Sequence, residues 1–101
     1  MLGFEFHPEA SAEYGEAIDY YKQINSLLAQ AFLEEIEHGI GMIRKHPDRW
    51  RVVEHETRRY LIHRFPYGIY YTTDQGIVKI WSVMHLSRDP GYWKERFGKG
   101  E

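Results

Sequence analysis

RRYLIHRFPYGIYYTTDQGIVKIWSVMHLSR, residues 58–88, decides the fold. It reads as three consecutive strands. From Arg58 to Arg64, Tyr60 and Ile62 alternate with Leu61 and His63, until Pro66, which lacks an amide donor, interrupts the run. Tyr67 to Thr73 is dense in aromatic and β-branched residues, which suit a pleated surface. Asp74-Gln75-Gly76 has the chemistry of a short hairpin loop, with Gly76 free to adopt the left-handed conformation. Ile77 to Met84 is the second arm. Strict alternation puts Val78, Ile80 and Met84 on one face and Ile77, Trp81 and Val83 on the other. Both faces are largely apolar, so this strand is expected to lie centrally in a sheet. His85, Arg88 and Tyr92 follow just past the strand end, where functional side chains concentrate.

Upstream, Leu2, Phe4 and Phe6 alternate with Gly3, Glu5 and His7, a short first strand stopped by Pro8. From Ala10 to Ile24, Tyr14, Ala17, Ile18, Tyr21 and Ile24 recur at spacings of three and four, the stripe of an amphipathic helix. Glu13, Glu16 and Asp19 fall off that stripe and are expected to face water. Asn25-Ser26 breaks the pattern, and either residue suits a helix cap. A second helix carries Leu28, Phe32, Ile36, Ile40 and Ile43 and ends at Arg44, Lys45 and His46 before Pro47. Gly39 and Gly41 weaken it by about 1 kcal/mol each, which close packing would offset. So short a connection predicts an antiparallel helical hairpin. Trp50 to Glu56 reads either as a connection or as an extra short strand. Pro90 opens a short C-terminal helix through Phe97. The predicted fold class is α+β, β-α-α-β-β-β with a short terminal helix: a small, mainly antiparallel sheet with the hairpin on one face. The partner of the first strand is not readable.

At 101 residues the chain has room for one domain and one core. A composition 43% hydrophobic and 16% aromatic excludes a disordered chain. The absence of cysteine excludes disulfides, thiolate metal sites and a thiol nucleophile. The six histidines show no metal-ligand spacing with a matched acid, so neither metal nor cofactor is expected. No apolar run approaches a membrane span and the first residues do not form a signal peptide, which predicts a cytoplasmic protein. The net charge of −2 is unevenly spread: residues 1–43 hold one Lys against eight acids, and residues 44–64 hold seven Lys or Arg against three acids. An acidic front and a basic middle suggest a patch for an anionic partner. Tyr20, Tyr21, Tyr67, Tyr70 and Tyr71 read as core and rim packing with their hydroxyls reaching water.

HPEA at residues 7–10, Tyr20-Tyr21, Pro47, FPYGIYY at residues 65–71, and the ending Val83, His85, Arg88, Pro90, Tyr92, Trp93, Arg96 form an ordered series. In this order it resembles the RelE/ParE superfamily of bacterial toxins from type II toxin–antitoxin modules, from Phe4 to Arg96. The resemblance implies the α+β unit derived above and a cognate antitoxin, encoded by a neighbouring gene, whose extended and helical segment wraps the toxin. It also implies one of two activities. RelE-like members cut mRNA in the ribosomal A site without a metal; ParE-like members inhibit DNA gyrase.

Metal-free RNA cleavage needs a base, an acid and cations on one surface. RelE-like toxins place an Arg directly after the Tyr corresponding to Tyr67, where this chain has Gly68. They place another in the turn after the last strand, near Leu86. The catalytic candidates left for an endoribonuclease are His85, as a group that exchanges protons near neutrality, Arg88 for the phosphate, Tyr92 as an acid, and His63. FPYGIYY and the H-x-x-R-x-P ending look more like the ParE branch, which needs an interaction surface rather than a catalytic set. For that surface the candidates are Arg58, Arg59, Arg64, Trp93, Arg96 and Phe97, the last three combining aromatic and Arg character as interface anchors do. The expected partners are therefore an antitoxin and gyrase, alternatively ribosome and mRNA, with neither a membrane nor a small-molecule ligand. An inactive remnant or an adaptor binding by strand addition is the further alternative.

Overall fold

Asn25 ends one helix and begins the next. Its amide donates to the carbonyl of Tyr21, closing α1 (Pro8–Ile24), while its Oδ1 accepts from the amides of Leu27 and Leu28 at the start of α2 (Ser26–Lys45). With a single linking residue the helices fold back on each other, as their sequence predicts. The computed structural model describes residues 1–88. The helix expected after Pro90, with Tyr92, Trp93, Arg96 and Phe97, lies outside the described residues.

Five strands accompany the hairpin: β1 (Gly3–Phe6), β2 (Val52–Glu54), β3 (Thr57–Leu61), β4 (Tyr67–Asp74) and β5 (Ile77–His85). They form one sheet in the order β1-β5-β4-β3-β2. β1 runs parallel to β5, and the other neighbours are antiparallel. The ambiguous stretch before residue 57 thus contains β2, an edge strand. β3 is shorter than the expected run to Arg64, because the Ile62 amide turns to the Tyr67 carbonyl and Arg64 takes a left-handed φ of 71°. The β4–β5 loop is Gln75-Gly76, with φ values of 50° and 78°, the pair of left-handed residues that a two-residue hairpin requires.

The two helices cover one face of the sheet. Phe32, Ile36 and Ile43 of α2 meet Ile69 and Tyr71 of β4 and Val78, Ile80 and Val83 of β5 in one buried cluster. The strict alternation read for β5 does not hold. Tyr71 pairs with Ile80 and Tyr70 with Ser82, so Trp81 is an extra residue, a bulge. Past it the faces exchange. Val83 joins Val78 and Ile80 under the helices, and Met84 joins Tyr70 on the opposite face. Trp81 itself lies with its Nε1 donating to Thr72 Oγ1 and Lys79 beside its ring. Ile24, counted in the α1 stripe, is 60% exposed at the hairpin tip, whereas Ala10, Ala17 and Tyr21 carry the buried face.

Tyr71 is fully buried, but its hydroxyl does not reach water. It donates to the Pro47 carbonyl at 2.6 Å, tying the chain after α2 to the centre of the sheet. Burial pushes its phenol up to about 12, with Arg58 pulling down and Asp48 pushing up.

α2 crosses the sheet closely at Gly39. A Cβ there would lie 2.7 Å from Cε1 of Tyr60 and 3.0 Å from Cδ1 of Ile69, whereas one on Gly41 would meet nothing within 4 Å. Only Gly39 answers to the close-packing expectation. Gly39→Ala is expected to destabilise the fold by about 1–3 kcal/mol through overpacking. Gly41→Ala should raise stability by up to about 1 kcal/mol through helix propensity. Urea unfolding of both variants beside the parent checks the difference in sign.

Candidate functional site: a cleft beside the end of β5

β1 has four residues and β5 has nine. β1 pairs with β5 only from Ile77 to Ile80. After Phe6 the chain leaves the sheet: the His7 amide donates to the Ile80 carbonyl, and Pro8 opens α1 with the fixed φ that a first helical turn tolerates. His7 caps the helix through Nδ1, which accepts from the Glu9 amide at 3.1 Å. α1 then runs alongside the part of β5 that β1 does not cover. Glu13, expected to face water, turns onto that edge instead. Its Oε1 accepts from the Val83 amide at 3.1 Å and from the Ser82 hydroxyl at 3.0 Å.

Between α1 and the end of β5 lies an open cleft of about 220 Å³. Glu13, Glu16, Ala17 and Tyr20 form its helical wall. Tyr67, Val83, Met84, His85 and Arg88 form the sheet wall. His85 is half-buried, its ring 5.3 Å from that of Tyr67 and at 75° to it. Its Nδ1 accepts from the Ser87 amide at 3.0 Å, so the neutral ring carries its proton on Nε2. Its carbonyl accepts from the Arg88 amide at 3.0 Å, and the Leu86 amide donates to Pro66, which fixes the turn that brings Arg88 to the cleft. The Tyr67 phenol is held above its ordinary range, first by burial, then by Tyr21, with Arg88 acting in the opposite direction. Among the described residues no group of three or more His, Asp or Glu is placed to hold a metal ion, and no helix is long and apolar enough to cross a membrane.

The family model described as the ParE toxin of the type II toxin–antitoxin system parDE matches residues 4–90. The chain belongs to the ParE toxin family. A solved structure described as the chromosomal ParDE TA system from P. aeruginosa superposes with a TM-score of 0.73. That match has 12% identity over 84% of this chain and 96% of the other, a likeness of fold. No curated protein matches the chain. The toxin is therefore ParE-like, in a class that implies an antitoxin partner.

The toxin brings together two of the residues that its sequence singles out, His85 and Arg88, and adds four that the sequence did not mark: Glu13, Glu16, Tyr20 and Tyr67. His63 does not line this cleft; it sits exposed in the bend after β3. Arg64 lies in the same bend, its guanidinium 5.8 Å from the Phe65 ring centre. Arg58 lies on the helix-covered face beside Tyr71, where its Nη1 donates to the carbonyls of Asp48 and Trp50, and its Nη2 lies 3.8 Å from the Asp48 carboxylate. It clamps the connection between α2 and β2. Arg59 lies on the helix-free face, its stem packed over Gly68 beside the Tyr70 ring. Tyr92, Trp93, Arg96 and Phe97 lie outside the described residues. At the two positions where RelE-like toxins carry Arg, Gly68 is buried in β4 and Leu86 is exposed in the turn.

Glu13 thus does a structural task that its sequence position hides. Glu13→Ala leaves a buried hydroxyl and a strand amide without this acceptor and is expected to cost about 1–3 kcal/mol. Glu13→Gln keeps an acceptor oxygen and should cost less. Thermal unfolding of the two variants checks the order.

Proposed function

We propose that the toxin arrests growth by binding DNA gyrase through its surface in the cytoplasm, and that a cognate antitoxin encoded beside it neutralises it. The observation that carries this reading is the charge of the cleft. Among the described residues, the cleft where His85 and Arg88 meet a tyrosine is walled by Glu13 and Glu16. A phosphodiester entering it would meet two carboxylates, and the matched RelE-like arginine positions hold Gly68 and Leu86. Such a cleft repels the polyanions on which ribosome-dependent cleavage depends. Protein–protein inhibition needs no catalytic set. Its contact surface is proposed to include Arg59 and Arg64 with Trp93, Arg96 and Phe97. Arg58, held by the carbonyls of Asp48 and Trp50, is left out.

One observation favours mRNA cleavage as the second reading: His85, Tyr67 and Arg88 share a cleft, and a neutral His85 presents Nε2–H as a proton donor. A supercoiling assay run beside a ribosome-dependent mRNA cleavage assay separates the two. The expected result is loss of gyrase supercoiling at near-stoichiometric toxin, with mRNA left whole on the ribosome and filamentous arrested cells. Cut mRNA with supercoiling intact would replace this reading by the second.

A further inference from the structure

Between α2 and β2 the chain turns through KHPDRWR, residues 45–51, which sets Lys45, His46, Arg49 and Arg51 against one acid, Asp48. All four basic side chains are exposed, and none lines the cleft. Asp48 lies 3.8 Å from the Arg58 guanidinium, so the negative charge of the turn already faces a cation. Among the described residues the ion pairs join Arg58 to Asp48 and Lys79 to Glu5, and none engages Lys45, Arg49 or Arg51. The next acid back along α2 is the exposed Glu37, about 12 Å from Lys45 along the helix axis and beyond a Debye length. In the other direction, Glu54 and Glu56 stand at and past the end of β2.

The acceptors of this turn are occupied from within. The Arg44 carbonyl accepts from the Leu2 amide, Pro47 from the Tyr71 hydroxyl, Asp48 and Trp50 from the Arg58 guanidinium, and Arg51 from the Arg59 amide. With these carbonyls held, the outward chemistry of the turn is cationic, and its backbone is tied to Leu2, β3 and β4. The Trp50 ring places Arg49 further, 5.5 Å from its guanidinium carbon, and packs against Tyr60 at 4.8 Å between centres. A positioned guanidinium without a carboxylate partner suits a phosphate, which it grips with two parallel bonds. Covered by Tyr60 and Arg49, Trp50 is not offered for stacking on unpaired bases, the contact that single-stranded nucleic acid needs. The turn fits the backbone of a duplex, held by charge without reading sequence. An acidic protein surface fits less well, because protein interfaces centre on apolar anchors that these four side chains do not supply.

We propose that Lys45, Arg49 and Arg51 rest on phosphates of the duplex DNA that gyrase holds, so that the toxin binds the DNA-loaded enzyme more tightly than the bare one. This rests on the gyrase reading above. The enzyme supplies the protein contact, and the DNA beside it adds a second contact at high effective concentration. The net charge of −2 keeps the toxin from binding free DNA by charge alone. Three phosphate contacts correspond to a loss of about 40-fold in the DNA-dependent part of the affinity between 50 and 200 mM salt.

The test measures binding of the full chain to purified gyrase by calorimetry, with and without a linear duplex on the enzyme, at both salt concentrations. Arg49→Glu combined with Arg51→Glu is the primary variant. Lys45→Glu is the second, in the last turn of α2 and apart from the Trp50 ring; circular dichroism confirms that both are folded. DNA on the enzyme is expected to tighten the parent at least tenfold at 50 mM salt and far less at 200 mM. The double variant should lose that gain and Lys45→Glu should lose it severalfold, while all three bind bare gyrase alike. If DNA tightens parent and variants equally, or tightens none, the inference fails while the gyrase reading stands. If the variants bind bare gyrase more weakly than the parent, the turn belongs to an acidic protein surface and the inference fails as well. If the parent toxin neither binds gyrase nor stops its supercoiling, the gyrase reading fails and takes the inference with it.

Discussion

Among the described residues, a nine-residue strand is flanked on one side by a four-residue strand, so part of its edge has no paired strand, and this constraint shapes the toxin. Pro8 forces the choice. It ends β1 and starts α1, so the helix axis takes over beside β5 where the strand stops. Each consequence follows from there. Glu13 is drawn from the solvent side of α1 to the Val83 amide, because an edge donor next to a packed helix has little access to water and needs an acceptor. The cleft opens because a helix stands farther from a strand than another strand would. His85 and Arg88 line it because they follow directly from that same strand.

The rest of the fold holds this arrangement in place. The bulge at Trp81 sits where β1 ends, and it turns Val83 inward beneath the helices just as the edge becomes uncovered. Without the extra residue, Val83 would face the other side and the apolar floor beside the cleft would be lost. Gly39 lets α2 settle onto Tyr60 and Ile69, which fixes the height of the helical roof. On β4 and β3, the Tyr71 hydroxyl and the Arg58 guanidinium hold the carbonyls of Pro47, Asp48 and Trp50. Arg58, one of the seven basic residues between 44 and 64, is thereby spent on architecture, although the charge of that stretch alone suggests a binding patch.

Residues whose roles are set by near neighbours were legible in the sequence. The stripes of α1 and α2, the Asn25 cap and the left-handed Gly76 all depend on contacts a few positions away, and the α+β class follows from their order. What required coordinates depends on partners far along the chain. The pairing of β1 with β5 joins Phe6 to Ile80, and nothing in a four-residue strand names its neighbour. The bulge was hidden because Trp81 fits a strict alternation as well as it fits a bulge. Glu13 looked solvated because the donors to its carboxylate, Ser82 and Val83, lie some seventy positions away. For the site, the strand-end rule found His85 and Arg88, but Glu16, Tyr20 and Tyr67 carry no local mark that separates them from surface and rim residues. His63 drew notice only by residue type, and it does not line the cleft.

The ParE toxin family supplies the class, and the Glu13 carboxylate on the Val83 amide is how this member satisfies the stretch of β5 that β1 does not pair. A carboxylate on a strand amide also keeps that edge from serving as a template for pairing. Amide hydrogen exchange across β5, on the parent toxin and on Glu13→Ala, reads this directly. Val83 is expected to be slow in the parent, because the carboxylate holds it. In Glu13→Ala it is expected to speed up more than the amides of β4 do. Exchange at Val83 that is fast in the parent, or that changes in the variant only as much as β4 does, would contradict the account.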